Sequence, residues 1–394
     1  MAQKVGTKKR RWPLSGRTAR AKAKGAVETR QLSYAVVGLG HIAQAAVLPA
    51  FAHAQENSRL GALVTGDPEK QARLTRKYKV KVYRYDALER CVAETGVEAV
   101  YLALPNHLHA EFTERCARLG LHVLCEKPMA VSTEECHRMI AACDSAGVRL
   151  MIAYRLHFEE ANLKAMEAVR SGVIGEPRIF NSTFSFQVAR DNIRTQRELG
   201  GGVLWDIGVY CLNAARYLFR AEPVEVYAQT ATGRDARFVD TEEGASVLLR
   251  FPGDRLASFA VSFGAAATAR YQLLGTEGQL SLENAYEYRG ALTLSVTDKK
   301  GKTRTHRVEP RDQFAPELIY FSRCVLEHRR PEPDGLEGLA DVRVIEAAYE
   351  SARTGRPIRL EPVAKHRRPG ADQQIARPAI PAPALVNVEA PGAD

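Results

Sequence analysis

The turn Gly38-Leu39-Gly40-His41-Ile42-Ala43 constrains this chain more than any other feature. It follows the β-type run at residues 34–37 directly and opens a helical run over 42–54, so its amides gather at a helix N-terminus, where a pyrophosphate would bind. Ala43 stands at the third glycine position of this fingerprint, which only has to be small for helix and strand to pack. Pro49 falls inside the helical run and predicts a kink or a second segment, because it removes a backbone donor.

The same alternation continues to residue 153. Apolar β-type runs at 60–64, 99–104, 123–124 and 150–153 are interleaved with helical runs at 69–78, 110–119 and 133–146. Strand and helix in turn imply a parallel sheet, the doubly wound Rossmann arrangement of the α/β class. After Gly175-Glu176-Pro177, strands follow strands at 178–188, 224–232, 245–251, 257–263, 270–274, 279–282 and 292–296. An open-faced, mainly antiparallel sheet is the economical reading. Two helical runs, 316–327 and 336–352, complete an α+β domain, the second stopping at Gly355. The expected organisation is a basic arm over 1–30, a Rossmann domain over 31–153, an α+β domain over 154–360, and a Pro/Ala-rich tail over 361–394. Residues 365–394 have prolines at 369, 378, 381, 383 and 391 and no helical or strand period, and the tail is expected to be disordered.

Charge and cysteine content narrow the function classes. The net charge of +10 sits almost wholly in residues 1–30, where ten basic residues face Glu28 alone. The other 364 residues are close to neutral, so a nucleic-acid or membrane-surface role would have to rest on that arm, and solvated arms of this kind are commoner. No apolar run is long enough to span a bilayer, and no apolar segment or cleavage pattern follows Lys9-Arg10-Arg11, so no export signal is read and a cytoplasmic location is expected. Seven scattered cysteines without a C-x-x-C pair fit reduced thiols; Cys125, beside a candidate site, reads as a small buried hydrophobe. His107, His109 and His122 lack partners at any zinc spacing, so no metal is expected.

Candidate site residues lie at strand ends, where doubly wound sheets bind ligands. Thr65 stands where an NAD-type enzyme would carry an acid for the adenine ribose, and Lys70 follows within a turn, a pair suited to a 2′-phosphate. NADP is therefore expected over NAD; the alternative is that Asp67 accepts the ribose hydroxyls. Leu104-Pro105-Asn106-His107-Leu108-His109 and Leu124-Cys125-Glu126-Lys127-Pro128 end two further strands. Pro128 restricts Lys127 to extended geometry and permits a cis bond. In the second half, Gly200-Gly201-Gly202 leads into a helix on which Asp206 and Tyr210, four apart, share a face. By spacing alone, the favoured reading is a helix whose Tyr210 packs in the core and whose Asp206 caps or faces solvent.

With these residues in place, the sequence resembles the Gfo/Idh/MocA oxidoreductase family from about residue 33 to 360. The likeness is carried by the glycine-rich turn, Glu126-Lys127-Pro128, Tyr154-Arg155 and the triple glycine leading to Asp206 and Tyr210. Tyrosine at 210, where most of the family has histidine, is similar to the glucose-fructose oxidoreductase and dihydrodiol dehydrogenase branch. The resemblance implies an NADP-dependent oxidoreductase acting on a sugar or cyclic polyol. It implies cofactor contacts from Gly38, Leu39, Gly40, His41, Ile42, Thr65, Lys70, Leu104, Pro105, Asn106, His109, Glu126, Lys127, Arg155 and Arg194.

For the substrate it implies Lys127, Arg155, Asp206, Tyr210 and Tyr288. On this reading Tyr210 takes the hydroxyl proton while hydride leaves the same carbon, Lys127 polarises the substrate oxygen, and Asp206 orients substrate or lysine. A phenol of pKa about 10 is a poor base at neutral pH, so the Lys127 ammonium is the natural source of help. Ile193 replaces a tryptophan of the glucose-fructose branch, which leaves stacking on the cofactor in question, and the basic arm could clasp a neighbouring subunit. A homodimer or homotetramer through the open sheet face is expected. The alternative class is a non-catalytic NAD(P)-binding sensor of the same fold.

Overall fold

Six consecutive buried residues, Leu32–Val37, make β1 a strand covered on both faces, the signature of a central parallel strand. The structure, a computed structural model, describes residues 30–365, 367–388 and 390–392. The basic arm, apart from Arg30, lies outside the described residues. After β1 the chain turns through a wide helical turn over Ala43–Val47 into α1 (Leu48–Ala50) and a tight turn over Phe51–His53. Pro49 lies inside this continuous helical run, just after the wide turn, and the expected break takes the form of a change in helical pitch.

The first lobe then runs β2 (Ser58–Val64), α2 (Pro68–Tyr78), β3 (Lys81–Tyr83), α3 (Leu88–Thr95), β4 (Ala99–Leu102), α4 (His109–Arg118), β5 (His122–Glu126), α5 (Thr133–Ser145) and β6 (Leu150–Ala153). Its strands pair in parallel in the order β3-β2-β1-β4-β5-β6. The order reverses between β1 and β4, which opens a crevice at their carboxyl ends. Neither β3 nor α3 is legible in the sequence: β3 is three residues long and lies at the sheet edge, too short for a period to show.

The second lobe begins with α6 (Glu160–Arg170), which the sequence reading missed. Glu159 caps it by accepting from the Ala161 and Asn162 amides at 2.8 Å each, a role that Ser, Thr, Asp or Asn would have advertised. Then follow β7 (Pro177–Ser185), α7 (Val209–Phe219), β8 (Glu225–Ala231), β9 (Gly244–Phe251), β10 (Arg255–Ser262), β11 (Thr268–Gly275), β12 (Gln279–Glu283), β13 (Leu292–Thr297) and β14 (Thr303–Val308). The helices α8 (Ala315–Leu326) and α9 (Gly335–Thr354) and the short β15 (Ile358–Arg359) follow.

The nine strands form one sheet in the order β14-β13-β12-β11-β7-β10-β9-β8-β15, antiparallel except where β7 and β10 pair in parallel. Burial alternates strictly along β9, so one face packs on helices while the other is open. Ile179, Leu248 and Leu256 stand exposed on neighbouring strands of that open face.

α8, read as part of the second domain, completes the core of the first lobe: Leu318 and Phe321 are buried in one cluster with Tyr34, Phe51 and Leu63. The Ser322 hydroxyl lies 2.7 Å from both the Tyr34 and the Ser58 hydroxyls, beneath β1 and β2.

The tail corrects the sequence reading more sharply. Residues expected to be disordered have defined partners along their length. Lys365 is buried among Glu332, Glu337 and Asp334. Gln373 donates to the Glu332 carbonyl at 2.7 Å, Ile375 and Ile380 pack against the first lobe's core, and Val386 is buried within it. Richness in proline and alanine without a helical or strand period hides such a segment from compositional reasoning. A few well-spaced anchors suffice when prolines restrict the unfolded chain and so reduce the entropy lost on docking.

Candidate active site

A cleft of about 640 Å³ lies across the carboxyl ends of β1, β2, β4 and β5 and is closed on its far side by residues of the second lobe. At its floor the glycine-rich turn is shaped by contact. Gly38 has φ +89°, and a Cβ there would come within 2.4 Å of the Ala103 carbonyl oxygen, so only glycine lets β1 turn so close to β4. A Cβ on Gly40 would meet nothing within 4 Å, because that position faces open cleft. Leu39, His41 and Ile42 line the cleft beside it.

At one end stand Thr65 and Lys70, with Tyr85 as an unforeseen neighbour. Asp67, the alternative ribose acceptor, is engaged elsewhere: it caps α2, accepting from the Glu69 and Lys70 amides at 2.8 and 3.1 Å, and these bonds hold its carboxyl below the usual range. Leu104, Pro105 and Asn106 form the next part of the wall. Asn106 donates to the Gly200 carbonyl at 2.8 Å, tying the triple-glycine loop of the second lobe to the first. His109 does not reach the cleft. It is fully buried, its ring nitrogens 2.9 and 3.0 Å from the Pro128 and Leu104 carbonyls, so it braces the two strand-end loops.

At the other end the predicted chemistry converges. The Lys127–Pro128 bond is cis. The Lys127 ammonium donates to the Asp206 backbone carbonyl at 2.9 Å and to its carboxylate at 3.3 Å, and lies 4.7 Å from the centre of the Tyr210 ring. Arg194 donates to the other Asp206 oxygen at 2.6 Å. A wide turn over Leu204–Gly208 leads into α7, and Asp206 and Tyr210 both face the lysine from this stretch, so the core reading of Tyr210 gives way to the shared-face reading.

The electrostatics follow from burial and pairing. Burial disfavours the charged form of Asp206, yet Arg194 and then Lys127 outweigh it and bring the carboxyl down to about 2. Burial likewise opposes the Lys127 charge, but Tyr210, Asp206 and Glu126 together hold its pKa above the ordinary lysine value. Glu126 is the counter-example: burial pushes its carboxyl up despite Lys127, and the Tyr101 hydroxyl donates to it at 2.7 Å.

Arg155 is buried behind the tyrosine, donating to Gln313 and to the Tyr286 carbonyl. Its guanidinium lies 5.1 Å from the Tyr210 ring centre and 5.5 Å from that of Tyr288. The remaining wall was not anticipated: Phe184 and Phe186 from the end of β7, Tyr286, Glu287 and Arg289 from the β12–β13 connection, and Phe314 before α8. The aromatic character of Phe184, Phe186, Tyr286 and Phe314 was visible, but only the tertiary fold directs them to this cleft. Ile193 is half-exposed at the rim. Cys125 is fully buried beneath the site, and burial pushes its thiol far up, so it is inert packing.

The model of an oxidoreductase family with an NAD-binding Rossmann fold matches residues 32–154, and that of the GFO/IDH/MocA C-terminal domain matches 162–281. The NADP(+)-type D-xylose 1-dehydrogenase of Haloarcula marismortui is 32% identical over 83% of this chain and 93% of its own. The D-xylose 1-dehydrogenase (NADP(+)) 2 of Haloferax volcanii is 32% identical over 84% of this chain and the whole of its own. Among solved structures, the aldose-aldose oxidoreductase of Caulobacter crescentus complexed with glycerol superposes with a TM-score of 0.80 at 40% identity, covering 84% of this chain and 100% of that one.

Proposed function

The chain belongs to the Gfo/Idh/MocA oxidoreductase family, and from that premise we propose that it transfers hydride between NADP and the anomeric or a neighbouring carbon of an aldose. The observation that carries this reading is the convergence of Lys127, Asp206 and Tyr210 at one end of a cleft whose other end presents Thr65 and Lys70.

The residues present fit a dinucleotide. Open space beside Gly40 leaves the backbone approachable by a pyrophosphate, and the helix that follows presents its N-terminus there. With Asp67 spent on its cap, Thr65 and Lys70 supply a hydroxyl and a cation for a 2′-phosphate, which favours NADP over NAD and agrees with the cofactor named for the xylose dehydrogenases. Leu104, Pro105, Asn106, Glu126 and Arg194 would border the nucleotide further along. When bound, NADP supplies the hydride acceptor or donor.

The chain's own residues handle the proton. As the phenolate, with the Lys127 ammonium beside its ring, Tyr210 accepts the proton of the substrate hydroxyl in oxidation; as the phenol it gives that proton to the carbonyl oxygen in reduction. Lys127 stabilises the negative charge that develops on that oxygen, in a partly buried site where such a charge pair is worth more than in water. Asp206 orients the lysine rather than the substrate, since both of its carboxylate oxygens are engaged by Lys127 and Arg194. Arg155, wedged between Tyr210 and Tyr288, holds the phenol in place. Phe184, Phe186 and Tyr288 offer apolar faces to the C–H surfaces of a sugar ring. A sensor without turnover would need none of this acid–base set.

The open sheet face, with Ile179, Leu248 and Leu256 exposed, supports a homodimer or homotetramer. No helix of the described residues is long and apolar enough to cross a membrane. Seven buried, unpaired cysteines favour a reducing compartment such as the cytoplasm.

The test is to purify the protein without added cofactor, identify any nucleotide released on denaturation, and follow reduced-nicotinamide absorbance on adding glucose, xylose or fructose singly. Reduction of NADP by an aldose supports the proposal. No change with NADP or NAD and any of the three sugars would sink it in favour of the sensor.

A further inference from the structure

We propose that the C-terminal segment is part of the dinucleotide site, a strap that crosses the cleft and holds the bound nucleotide in place. The inference rests on the cofactor reading above and extends it to a segment the family resemblance does not reach.

Residues 386–388 and 390–392 join the two lobes across the cleft. On the first lobe, Val386 is buried in the core, and its backbone pairs with the Gln44 side chain in both directions: Val386 N–H donates to Oε1 at 2.8 Å, and Nε2 donates to the Val386 carbonyl at 2.9 Å. The same Nε2 donates to the Leu39 carbonyl at 2.8 Å, inside the glycine-rich turn. Gln44 therefore uses both of its donors and its carbonyl oxygen to clamp the tail to the turn that would receive the pyrophosphate. Next, Asn387 donates at 2.6 Å to the Asp67 oxygen that the helix cap leaves over, beside Thr65 and Lys70. On the second lobe, the Ala189 amide donates to the Pro391 carbonyl at 3.0 Å, and Gly392 pairs with Val188 in an antiparallel bridge. Ala390, just before the second anchor, and the anchoring Pro391 and Gly392 line the cleft itself.

The strap lines the cleft and leaves about 640 Å³ of it open, a volume in the range of ordinary ligand sites. It thus acts as a wall over a ligand rather than as an occupant in its place. A dinucleotide lying from Lys70 to Lys127 passes beneath a chain anchored at both ends, and its escape requires those anchors to open. The consequence is slow exchange: the nucleotide stays bound while one sugar reduces it and a second reoxidises it.

The test compares the full chain with a form ending at Pro383, which keeps the anchors at Lys365, Gln373 and Ile380, and with full-length Val386→Pro, which deletes the donor to Gln44. Each is loaded with labelled NADP and chased with excess unlabelled NADP, and the release rate is read. We expect release at least tenfold faster from both variants, and a new dependence of turnover on added NADP in the truncated form. Equal release rates from full-length and truncated proteins overturn the strap. Failure of the full-length chain to bind NADP at all overturns the cofactor reading instead, and the strap with it.

Discussion

Replacing Asp206 by asparagine keeps the shape of the side chain and removes the charge that two cations share, so it isolates the electrostatic role. Asparagine imitates the protonated carboxyl. The cost is therefore set by how far the folded protein pulls Asp206 below its ordinary value, from 3.8 to about 2. At about 1.4 kcal/mol per pH unit, this corresponds to about 2 kcal/mol of folding stability at neutral pH. The sign follows from the direction. The folded value lies below the unfolded one, so the stabilisation is present above pH 3.8 and is lost as the pH falls toward about 2.

The same substitution acts on Lys127, whose charge Asp206 helps to sustain against burial. Its pKa should fall, which moves the alkaline limb of the kcat/KM profile to lower pH. The backbone carbonyl of residue 206 still holds the ammonium at 2.9 Å, so the lysine remains in place and the effect is one of charge. Urea unfolding at pH 7 and a pH–rate profile measure the two halves. If Asp206→Asn unfolds within about 0.5 kcal/mol of the parent, the scatter of an ordinary surface change, and the alkaline limb stays put, the charge-sharing account is wrong.

Three other perturbations probe separate parts of the molecule. Tyr210→Phe deletes only the phenolic hydroxyl and should lower kcat by roughly 10²- to 10⁴-fold with little change in NADP affinity, measured by steady-state kinetics and titration; a loss below tenfold would remove Tyr210 as the proton carrier. Lys70→Ala should weaken NADP by about tenfold to a hundredfold, the worth of a charged hydrogen bond, while leaving NAD affinity near its original value; equal losses for both nucleotides would contradict the 2′-phosphate assignment.

Glu317 is fully buried, neither carboxyl oxygen has a hydrogen-bond partner, and burial raises its pKa well above the ordinary value. Such a group favours the folded state below its unfolded pKa and loses that contribution as the pH rises through the folded one. Glu317→Gln should therefore gain stability over the parent as the pH is raised from 5 to 9, and denaturation curves with a constant difference across that range would refute it.

Much of this protein is local and so can be read along the chain. The glycine-rich turn is legible because only glycine at 38 tolerates φ +89° and the approach of Ala103, and the alternation of buried strands with amphipathic helices states a parallel sheet. Glu126-Lys127-Pro128 at a strand end, and the four-residue spacing of Asp206 and Tyr210, point to one site because strand ends and helix faces have predictable directions.

What the chain could not state alone are choices between partners distant in sequence. Whether Asp67 or Thr65 faces a ribose depends on which group caps α2. That His109 braces two loops rather than lining the cleft depends on the Pro128 carbonyl, which another strand brings to it. The aromatic wall from Phe184 to Tyr288 is gathered by the order of sheet strands. The tail is the clearest case. Its composition reads as disorder, because composition counts how much apolar surface a segment carries and not whether a few anchors find partners. Gln44, more than 300 residues away, supplies the groups that decide where it lies.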